Sequence, residues 1–392
     1  MKRIYIFTGK GGVGKSSVAA AHAVKSAEEG KKTLLVSTDM AHNLGDIFEK
    51  SLGKEAENVL PNLDIYEIDP EYVMEHDFSA VMNYLETLLS EVENCSMQDM
   101  GMIPGMEELF SLLKIVEIYN KESYERIIVD CAPTGETLSL LKFPELLSWY
   151  MEKFFPIGKV GVRILAPISK AAFKIEMPNK SAMNNIEKMY LKLAALQELL
   201  KNREVTSVRI VTTPEKMVVE ETKRNYMYLN LYNFNVDGIY INRILPRNMN
   251  NDFFEQWLVI QREYITCLKE CFSALPIYEI PWYDEELRGE RAIRRIVQDV
   301  LDGEEVFERK NITERENFKK TENGYQLEVF LPYAEKEGLD LYQAATDLII
   351  KTGNFKRNIP LPNILRSYMV SGAKFKDGKL CIQFEKGSSK DE

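Results

Sequence analysis

The chain has 392 residues, of which 45% are hydrophobic and 28% are charged. These proportions are close to globular averages and exclude a disordered or collagen-like chain, while the length predicts two or three domains. The 60 acidic residues outnumber the 50 basic ones and give a net charge of −10, which disfavours binding to the phosphate backbone of nucleic acids.

The cysteines are scattered along the chain, a pattern that does not indicate a disulfide framework and that is typical of a reducing cytoplasm. They are Cys95, Cys131, Cys267, Cys271 and Cys381. The first apolar run, residues 4–7, is too short for a signal peptide. Because no stretch approaches about 18 uncharged apolar residues, we expect no transmembrane segment and a cytoplasmic location.

Short apolar runs rich in β-branched residues recur before residue 300, and helical patterns separate them. Nearly continuous runs of this kind are typical of strands buried on both faces, so they predict an α/β fold with a mostly parallel sheet and helices on both faces. The predicted strands are residues 4–7, 34–37, 65–68, 127–130, 208–212, 238–242 and 277–280.

A glycine-rich loop follows the first predicted strand. Residues 9–16, G-K-G-G-V-G-K-S, match the phosphate-loop pattern G-x-x-x-x-G-K-[ST] in full. The pattern predicts that Lys15 contacts the β- and γ-phosphates of ATP and that the Ser16 hydroxyl binds Mg²⁺. Lys10 is not required by the pattern. Its plain interpretation is a lysine that faces solvent.

The segment after the second predicted strand contains a first candidate switch. Asp39 stands at the strand end, where a carboxylate can orient the attacking water or hold Mg²⁺ through water. His42, Asn43 and Asp46 follow in the same predicted switch. The alternative for Asp39 is an ordinary helix N-cap.

Asp130 ends the strand at 127–130 and begins a second candidate switch. We predict that its carboxylate holds Mg²⁺ through water. Pro133, Thr134 and Gly135 continue this switch, and Gly135 allows its backbone N–H to approach a γ-phosphate. Loss of that phosphate on hydrolysis would release the segment.

Two long intervals, about 71–122 and 144–202, carry Leu, Met and aromatic residues at helical spacing and predict an inserted helical subdomain. Met-containing helices suit a groove for apolar helices of varied sequence, but the same stripe is equally compatible with ordinary core. Residues 149–155, W-Y-M-E-K-F-F, are the best local candidate for contact with a client. Members of the stripe include Leu109, Leu112, Leu113, Val116, Ile186, Met189, Leu193, Leu196 and Leu200.

The pattern changes after residue 300. The charged stretch 301–317 predicts a linker, and Asp377-Gly378 between two alternating runs predicts a β-hairpin. We therefore predict an ATPase domain over residues 1–305, a small all-β sandwich over 306–386 and a frayed tail over 387–392.

The phosphate loop and four later motifs together resemble one family. The later motifs are D-M-A-H-N-L-G-D-I-F from residue 39, I-P-G-M-E-E-L-F from 103, D-C-A-P-T-G-E-T-L from 130 and E-E-L-R-G from 285. The chain resembles the deviant Walker A ATPases that include the arsenite-pump ATPase and the cytosolic targeting factor for tail-anchored membrane proteins. The all-β tail resembles the α-crystallin-like domain of some bacterial and plastid members.

The resemblance implies roles at the matching positions. Lys10 would reach across a homodimer to the partner's ATP, and Asp39 would position water. Pro214, Glu215 and Asn242 fall where the family contacts adenine, and Asn242 is the stronger candidate because an amide can pair with adenine; its alternative is a capping role. The implied phosphate-binding residues are Gly11, Gly12, Val13, Gly14, Lys15, Ser16 and Ser17.

Some residues depart from the family pattern. Met40, Cys131, Glu136 and Ser139 differ from the usual residues, but none is a phosphate or Mg²⁺ ligand, so we expect ATP chemistry to be kept. The C-x-x-C pair that binds zinc in some members is missing from the sequence. Cys267 and Cys271 are four apart, so two copies could supply four zinc thiolates, or the pair could simply be buried.

These features predict a homodimeric, Mg²⁺-dependent ATPase whose nucleotide switch opens and closes a hydrophobic surface for client helices or a membrane-protein partner. The alternative is an ATPase that energises a pump for arsenite or another anion. Arsenite requires several converging thiolates, and pump ATPases of this family usually carry two ATPase halves, whereas this sequence has one phosphate loop. A DNA- or septum-positioning ATPase is disfavoured by the acidic composition and the β tail.

Overall fold

The computed structural model describes residues 2–39, 43–79, 106–121, 123–131, 191–192, 194–247, 252–308, 316–322, 324–335, 338–344, 347–353 and 355–386. The chain divides into two compact units. The first contains Met1–Thr206 and Tyr283–Val306, and the second contains Ser207–Trp282 and Phe307–Glu392.

The regular elements alternate between strand and helix until about residue 300 and are mostly strands afterwards. The α-helices whose bounds lie within the described ranges include α1 (Lys15–Glu28), α2 (Asn43–Phe48), α3 (Pro70–His76), α4 (Met106–Lys121), α5 (Lys216–Leu231), α6 (Asp252–Cys271) and α7 (Gly289–Ile296), and residues 194–201 are also helical. The first strands are β1 (Arg3–Thr8), β2 (Thr33–Ser37), β3 (Glu57–Leu60), β4 (Leu63–Glu67), β5 (Arg126–Asp130), β6 (Thr206–Thr212), β7 (Val236–Ile244) and β8 (Ile277–Pro281). The later strands are β9 (Glu316–Thr321), β10 (Gly324–Phe330), β11 (Leu339–Gln343), β12 (Asp347–Thr352), β13 (Phe355–Pro360), β14 (Tyr368–Lys376) and β15 (Lys379–Lys386).

The strands of the first unit pair in the order β3-β4-β2-β5-β1. Strands β1, β5, β2 and β4 run parallel, and nearly all of their apolar side chains are buried, as the continuous apolar runs predict. Strand β3 was not predicted from the sequence and pairs antiparallel with β4. Its residues are exposed or half-buried, so its sequence lacks the apolar run that identified the other strands.

The second unit contains the parallel strands β6, β7 and β8, which are joined through α5 and α6. It also contains two antiparallel sheets, with strand orders β14-β15-β10-β9 and β11-β12-β13. The predicted fold class, a parallel α/β layer followed by a small all-β part, is confirmed. Strand β9 begins at Glu316, inside the stretch predicted as a linker.

The predicted Asp-Gly hairpin joins β14 to β15. Asp377 and Gly378 have φ angles of 51° and 70°, both in the left-handed region. Two successive positive φ angles define the turn whose twist matches an antiparallel pair, and glycine adopts them without strain. The sequence prediction of this hairpin is therefore confirmed.

The predicted helical stripes lie partly within the described residues. The stripe members in α4 are buried, and so are Leu196 and Leu200 in the helical residues 194–201. These members belong to the core of the first unit. The candidate client segment 149–155, together with Ile186, Met189 and Leu193, lies outside the described residues.

None of the helices in the described ranges is both long enough and apolar enough to span a bilayer.

Candidate active site

The carboxyl ends of β1, β5 and β2 lie side by side in the first unit. Phe7 of β1 pairs with Asp130 of β5, which in turn pairs with Ser37 of β2. The pairing continues to the loops, because the Thr38 N–H donates to the Asp130 carbonyl at 3.0 Å and the Cys131 N–H donates to the Phe7 carbonyl at 3.2 Å. The phosphate loop, the first switch and the second switch therefore begin at one edge of these strands.

The loop between β1 and α1 depends on glycine. Gly12 and Gly14 have φ angles of 78° and 90°, which L side chains rarely adopt. Gly14 is the N-cap of α1 and makes no side-chain cap, so the first N–H groups of the helix remain for a ligand. Gly11 and Gly12 are exposed, and Val13 is buried beneath them. This arrangement suits an anion at the positive end of α1.

Asp130 is a fully buried carboxyl group in contact with the start of α1. Burial raises the pKa of Asp130 to about 7, whereas the Ser16 hydroxyl and the Lys15 charge oppose that rise and Asp39 adds to it. Lys15 is itself buried, with 6% of its surface exposed. The predicted residues Lys15, Ser16, Asp39 and Asp130 are thus brought together.

The Asp130 carboxylate lacks its full set of partners. Although the Ser16 hydroxyl is near enough to affect its pKa, neither Asp130 oxygen makes a hydrogen bond of normal geometry to any described residue. The hydroxyl of Thr8, at the end of β1, is also buried without such a bond among these residues. Buried polar atoms of this kind are costly unless a ligand or water satisfies them. The site is therefore built for a polar or cationic ligand.

Cys131 follows Asp130 and is also buried. Burial raises the pKa of the Cys131 thiol to about 12, and the nearby Asp130 contributes to the rise. The side chain is therefore held as a neutral thiol, which is a weaker nucleophile and metal ligand than a thiolate.

The first switch is anchored at both ends. The Asp39 N–H donates to the Ser37 hydroxyl at 3.1 Å, and the Gly45 N–H of α2 donates to Glu67 Oε1 at 2.9 Å. Asp39 is half-buried, and Asp46 is exposed in the first turn of α2. Asn43 begins α2, while His42 lies outside the described residues.

Comparison with known proteins identifies the chain by both of its parts. The sequence model of the anion-transporting ATPases matches residues 2–302, and that of the HSP20-like domain found in ArsA matches residues 322–384. The chain belongs to the anion-transporting ATPase family. The resemblance predicted from the motifs is confirmed for both parts, and the protein is an ATPase.

The relatives differ in how much of this chain they match. A Chlorobaculum tepidum protein, provisionally named an arsenical pump-driving ATPase, is 35% identical over 388 residues, which is 98% of this chain and 96% of its own. An Aquifex aeolicus protein with the same description is 30% identical over 393 residues, covering 97% and 99%. The ATPase get3 of Pyrenophora tritici-repentis is 30% identical over 304 residues, covering 74% and 89%.

The remaining predicted site residues lie in the phosphate loop, in the first turn of α1 or outside the described residues. Lys10 is half-buried in the phosphate loop, and Ser17 lies in the first turn of α1. Pro133, Thr134 and Gly135 of the second switch lie outside the part of the chain that the structure describes.

The residues that the resemblance assigns to adenine lie in the second unit. Asn242 is buried near the end of β7, and its Oδ1 accepts the N–H of Arg243 at 2.9 Å. This is the kind of local contact that the capping alternative anticipates. Pro214 and Glu215 lie between β6 and α5, and Glu215 is the N-cap residue of α5. Adenine recognition by these residues stays a prediction.

Sequence reasoning missed Glu67 and did not predict the contacts that the E-E-L-R-G motif makes. Glu67 ends the apolar strand β4, a position equivalent to that of Asp130 on β5, and this equivalence was the signal that could have identified it. The motif E-E-L-R-G leads into α7, where Gly289 has a φ of 76° and the Glu49 carboxylate lies 3.0 Å from the place a Cβ would occupy. Arg295 of α7 pairs with Asp284 at 2.9 Å.

Proposed function

We propose that the protein is a Mg²⁺-dependent ATPase that works as a homodimer, and that its nucleotide switch opens and closes a hydrophobic surface for client helices of membrane proteins. The observation that carries the ATP and Mg²⁺ part is Asp130, a buried carboxyl group without normal hydrogen bonds among the described residues, beside Ser16 and Lys15. The residues present therefore fit a magnesium nucleotide.

In this proposal each residue of the first unit has a distinct task. Backbone N–H groups of residues 11–17 and the Lys15 ammonium bind the phosphates, and Asp39 orients the attacking water. Ser16 would hold Mg²⁺ directly, and Asp39 and Asp130 would hold it through water. When bound, the ion neutralises charge on the phosphate oxygens.

The remaining contacts of the nucleotide are assigned from the family resemblance. Asn242, with Pro214 and Glu215, would contact adenine. Lys10 would act on the ATP of the partner copy, where a second cation stabilises the charge that develops in phosphoryl transfer. The switch residues His42, Asn43 and Asp46, and Pro133 to Gly135, would transmit the loss of the γ-phosphate.

The proposed client contact is residues 149–155, within the interval of about 144–202 that the sequence predicts to be helical. The stripe residues of α4 are buried in the first unit and are unsuitable for client contact. The described positions of the second helical stretch, Leu196 and Leu200, are equally buried.

The second candidate function is the energising of an arsenite or anion pump. It is favoured by the names of relatives that match nearly the whole chain. Against it, the described residues hold no group of three or more His, Cys, Asp or Glu side chains suited to a metal ion. Cys131 is a buried thiol with a raised pKa, so it is a poor thiolate donor for arsenite. We therefore rank the client function first.

The Asp39→Asn variant tests the hydrolytic site. We expect it to bind ATP normally and to lose most of its turnover, because the amide cannot orient water as the carboxylate does. Steady-state turnover and nucleotide affinity are measured beside Asp252→Asn, a control at an exposed carboxylate in α6. Near-normal turnover of Asp39→Asn would remove this residue from the mechanism.

The Asp39→Asn protein also distinguishes the client-binding function from the pump-energising function. Asp39→Asn held with ATP should co-purify apolar helical segments of membrane proteins, which are identified after capture. Arsenite that raises the turnover of the wild type but not of Cys131→Ala would reverse our ranking.

Lys10→Ala should lower turnover without weakening ATP affinity, while the exposed-residue control Lys320→Ala should change neither.

A further inference from the structure

Glu67 makes a contact between the end of one strand and the helix of the first switch. It is the last residue of β4, and its register partner on the neighbouring strand β2 is Ser37. The Glu67 Oε1 atom accepts the Gly45 N–H at 2.9 Å. Gly45 lies in the first turn of α2, whose early N–H groups have no partner inside the helix. Glu67 therefore supplies from a distant strand a hydrogen bond that the helix itself cannot make.

Little free space surrounds Gly45, the donor of this hydrogen bond. A Cβ at Gly45 would lie 2.9 Å from the carbonyl oxygen of Lys50, so no larger residue fits there without movement. The Lys50 N–H in turn donates to the Gly45 carbonyl at 2.9 Å. Leu44, the neighbour of Gly45, is completely buried. The start of α2 is therefore held in one place by packing and by the Glu67 carboxylate.

The other end of the same loop is held by the partner strand. The Ser37 hydroxyl accepts the Asp39 N–H at 3.1 Å, and the Ile68 N–H donates to the Ser37 carbonyl at 3.1 Å. Ser37 and Glu67, paired in register, thus bind the loop on both sides of residues 40–42. Asp39 is attached to the first of these points.

We propose that Glu67 is a positioning residue for ATP hydrolysis, which fixes α2 and with it the loop that carries Asp39. The inference rests on the proposed function, because it assumes that Asp39 orients water. The contact that carries the inference is the Gly45 N–H donated to Glu67, through which Glu67 would act on Asp39 by holding the helix that follows it. Displacement of a catalytic group by about 1 Å can cost about 100-fold in rate.

The test compares two substitutions at one position. Glu67→Ala removes the acceptor and should lower kcat by about 10- to 100-fold while leaving the KM for ATP nearly unchanged. Glu67→Gln keeps an oxygen that can accept the Gly45 N–H and should restore most of the turnover. The matched control is Glu57→Ala, because Glu57 Oε1 accepts the Gly53 N–H at 2.6 Å on strand β3, away from the switch.

A double-mutant cycle separates positioning from loss of stability. If Glu67 acts through Asp39, then Glu67→Ala adds no further loss of turnover in the Asp39→Asn background. A purely structural role would lower the turnover of both backgrounds by the same factor, or lower only the melting temperature, and either result would overturn the inference. An Asp39→Asn protein with normal turnover would instead refute the proposed function itself.

Discussion

Asp130 in the first unit and Arg357 in the second are both buried ionisable residues, but of the two only Arg357 is hydrogen-bonded to a counter-charge among the described residues. The Nη2 atom of Arg357 donates to Glu316 Oε2 at 2.5 Å, and Nη1 donates to the Leu231 carbonyl. Asp130 makes no hydrogen bond of normal geometry to the described residues. Because burial of an unpaired charge is costly, the difference separates a group that stabilises the fold from one that awaits a ligand.

The partners of Arg357 show what it stabilises. Arg357 lies on β13 in the HSP20-like part, while Leu231 is the last residue of α5. Next to this contact, the Tyr232 hydroxyl donates to the Lys356 carbonyl at 2.9 Å. A second contact joins the Tyr333 hydroxyl to the carbonyl of Cys271 at the end of α6. Within the second unit, the HSP20-like part is therefore attached to the helices of the α/β layer by polar contacts, of which the one between Arg357 and Leu231 is buried.

The largest expected effect comes from breaking the Arg357 contacts. Arg357→Met should lower the free energy of unfolding by about 3–5 kcal/mol, because it leaves the Glu316 carboxylate and the Leu231 carbonyl without their donor. Urea-induced unfolding of the second unit measures the change. ATP turnover below the unfolding transition should remain close to that of the wild type.

Two further variants sharpen this result. The double variant Arg357→Met/Glu316→Leu should recover part of the loss, since it no longer buries an unpaired carboxylate. Arg262→Met, at an exposed position of α6, is the control and should be nearly neutral. A loss below about 1 kcal/mol for Arg357→Met would equate the pair with an ordinary surface ion pair and remove the contrast with Asp130.

The second-largest expected effect is a loss of ATP turnover when the phosphate-loop lysine of the first unit is removed. Lys15→Ala should reduce ATP turnover by about 10²- to 10³-fold, the size typical of losing one preorganised electrostatic contact to a developing charge. Its stability without nucleotide should change much less than that of Arg357→Met. Turnover and unfolding are compared with those of Lys351→Ala, an exposed lysine on β12. Equal turnover in Lys15→Ala and Lys351→Ala would contradict the assignment of the phosphate loop.

Much of the fold could be predicted because its signals are local. Buried parallel strands appear as continuous apolar runs, and the Asp377-Gly378 turn is specified by two residues. Strand β3 was missed because its side chains face solvent and its place depends on pairing with β4. In the site, the places of the phosphate loop, Asp39 and Asp130 after or at strand ends were predictable from the local pattern, whereas their roles stay predictions.

The partners of these residues were not predictable, because they depend on which elements become neighbours. Arg357 contacts a carbonyl 126 residues away in sequence. Glu67 reaches Gly45 only because β4 pairs with β2, an order that the strand patterns do not specify. The absence of normal hydrogen bonds at Asp130, among the described residues, is likewise a property of the folded chain.

The smallest effect is a pH dependence of stability that comes from Asp130 in the first unit. The pKa of Asp130 is raised from its ordinary value near 4 to about 7 in the ligand-free protein. The native state therefore binds this proton more tightly than the unfolded state does, so stability should fall as the pH rises through about 7. Between pH 6 and pH 8 the loss should be about 1 kcal/mol, measured by urea unfolding with a chelator present.

Asp130→Asn is the decisive control, because an amide cannot titrate and should abolish this part of the pH dependence. Arg357→Met should keep the dependence despite its lower stability, since it leaves Asp130 and the groups around it in place. Mg²⁺ and ATP should weaken the dependence in the wild type, because the bound ion favours the ionised carboxylate. If Asp130→Asn loses as much stability as the wild type between pH 6 and pH 8, the titrating group lies elsewhere. Asp130 would then not be the buried group that awaits a ligand, and its contrast with the hydrogen-bonded Arg357 would be lost.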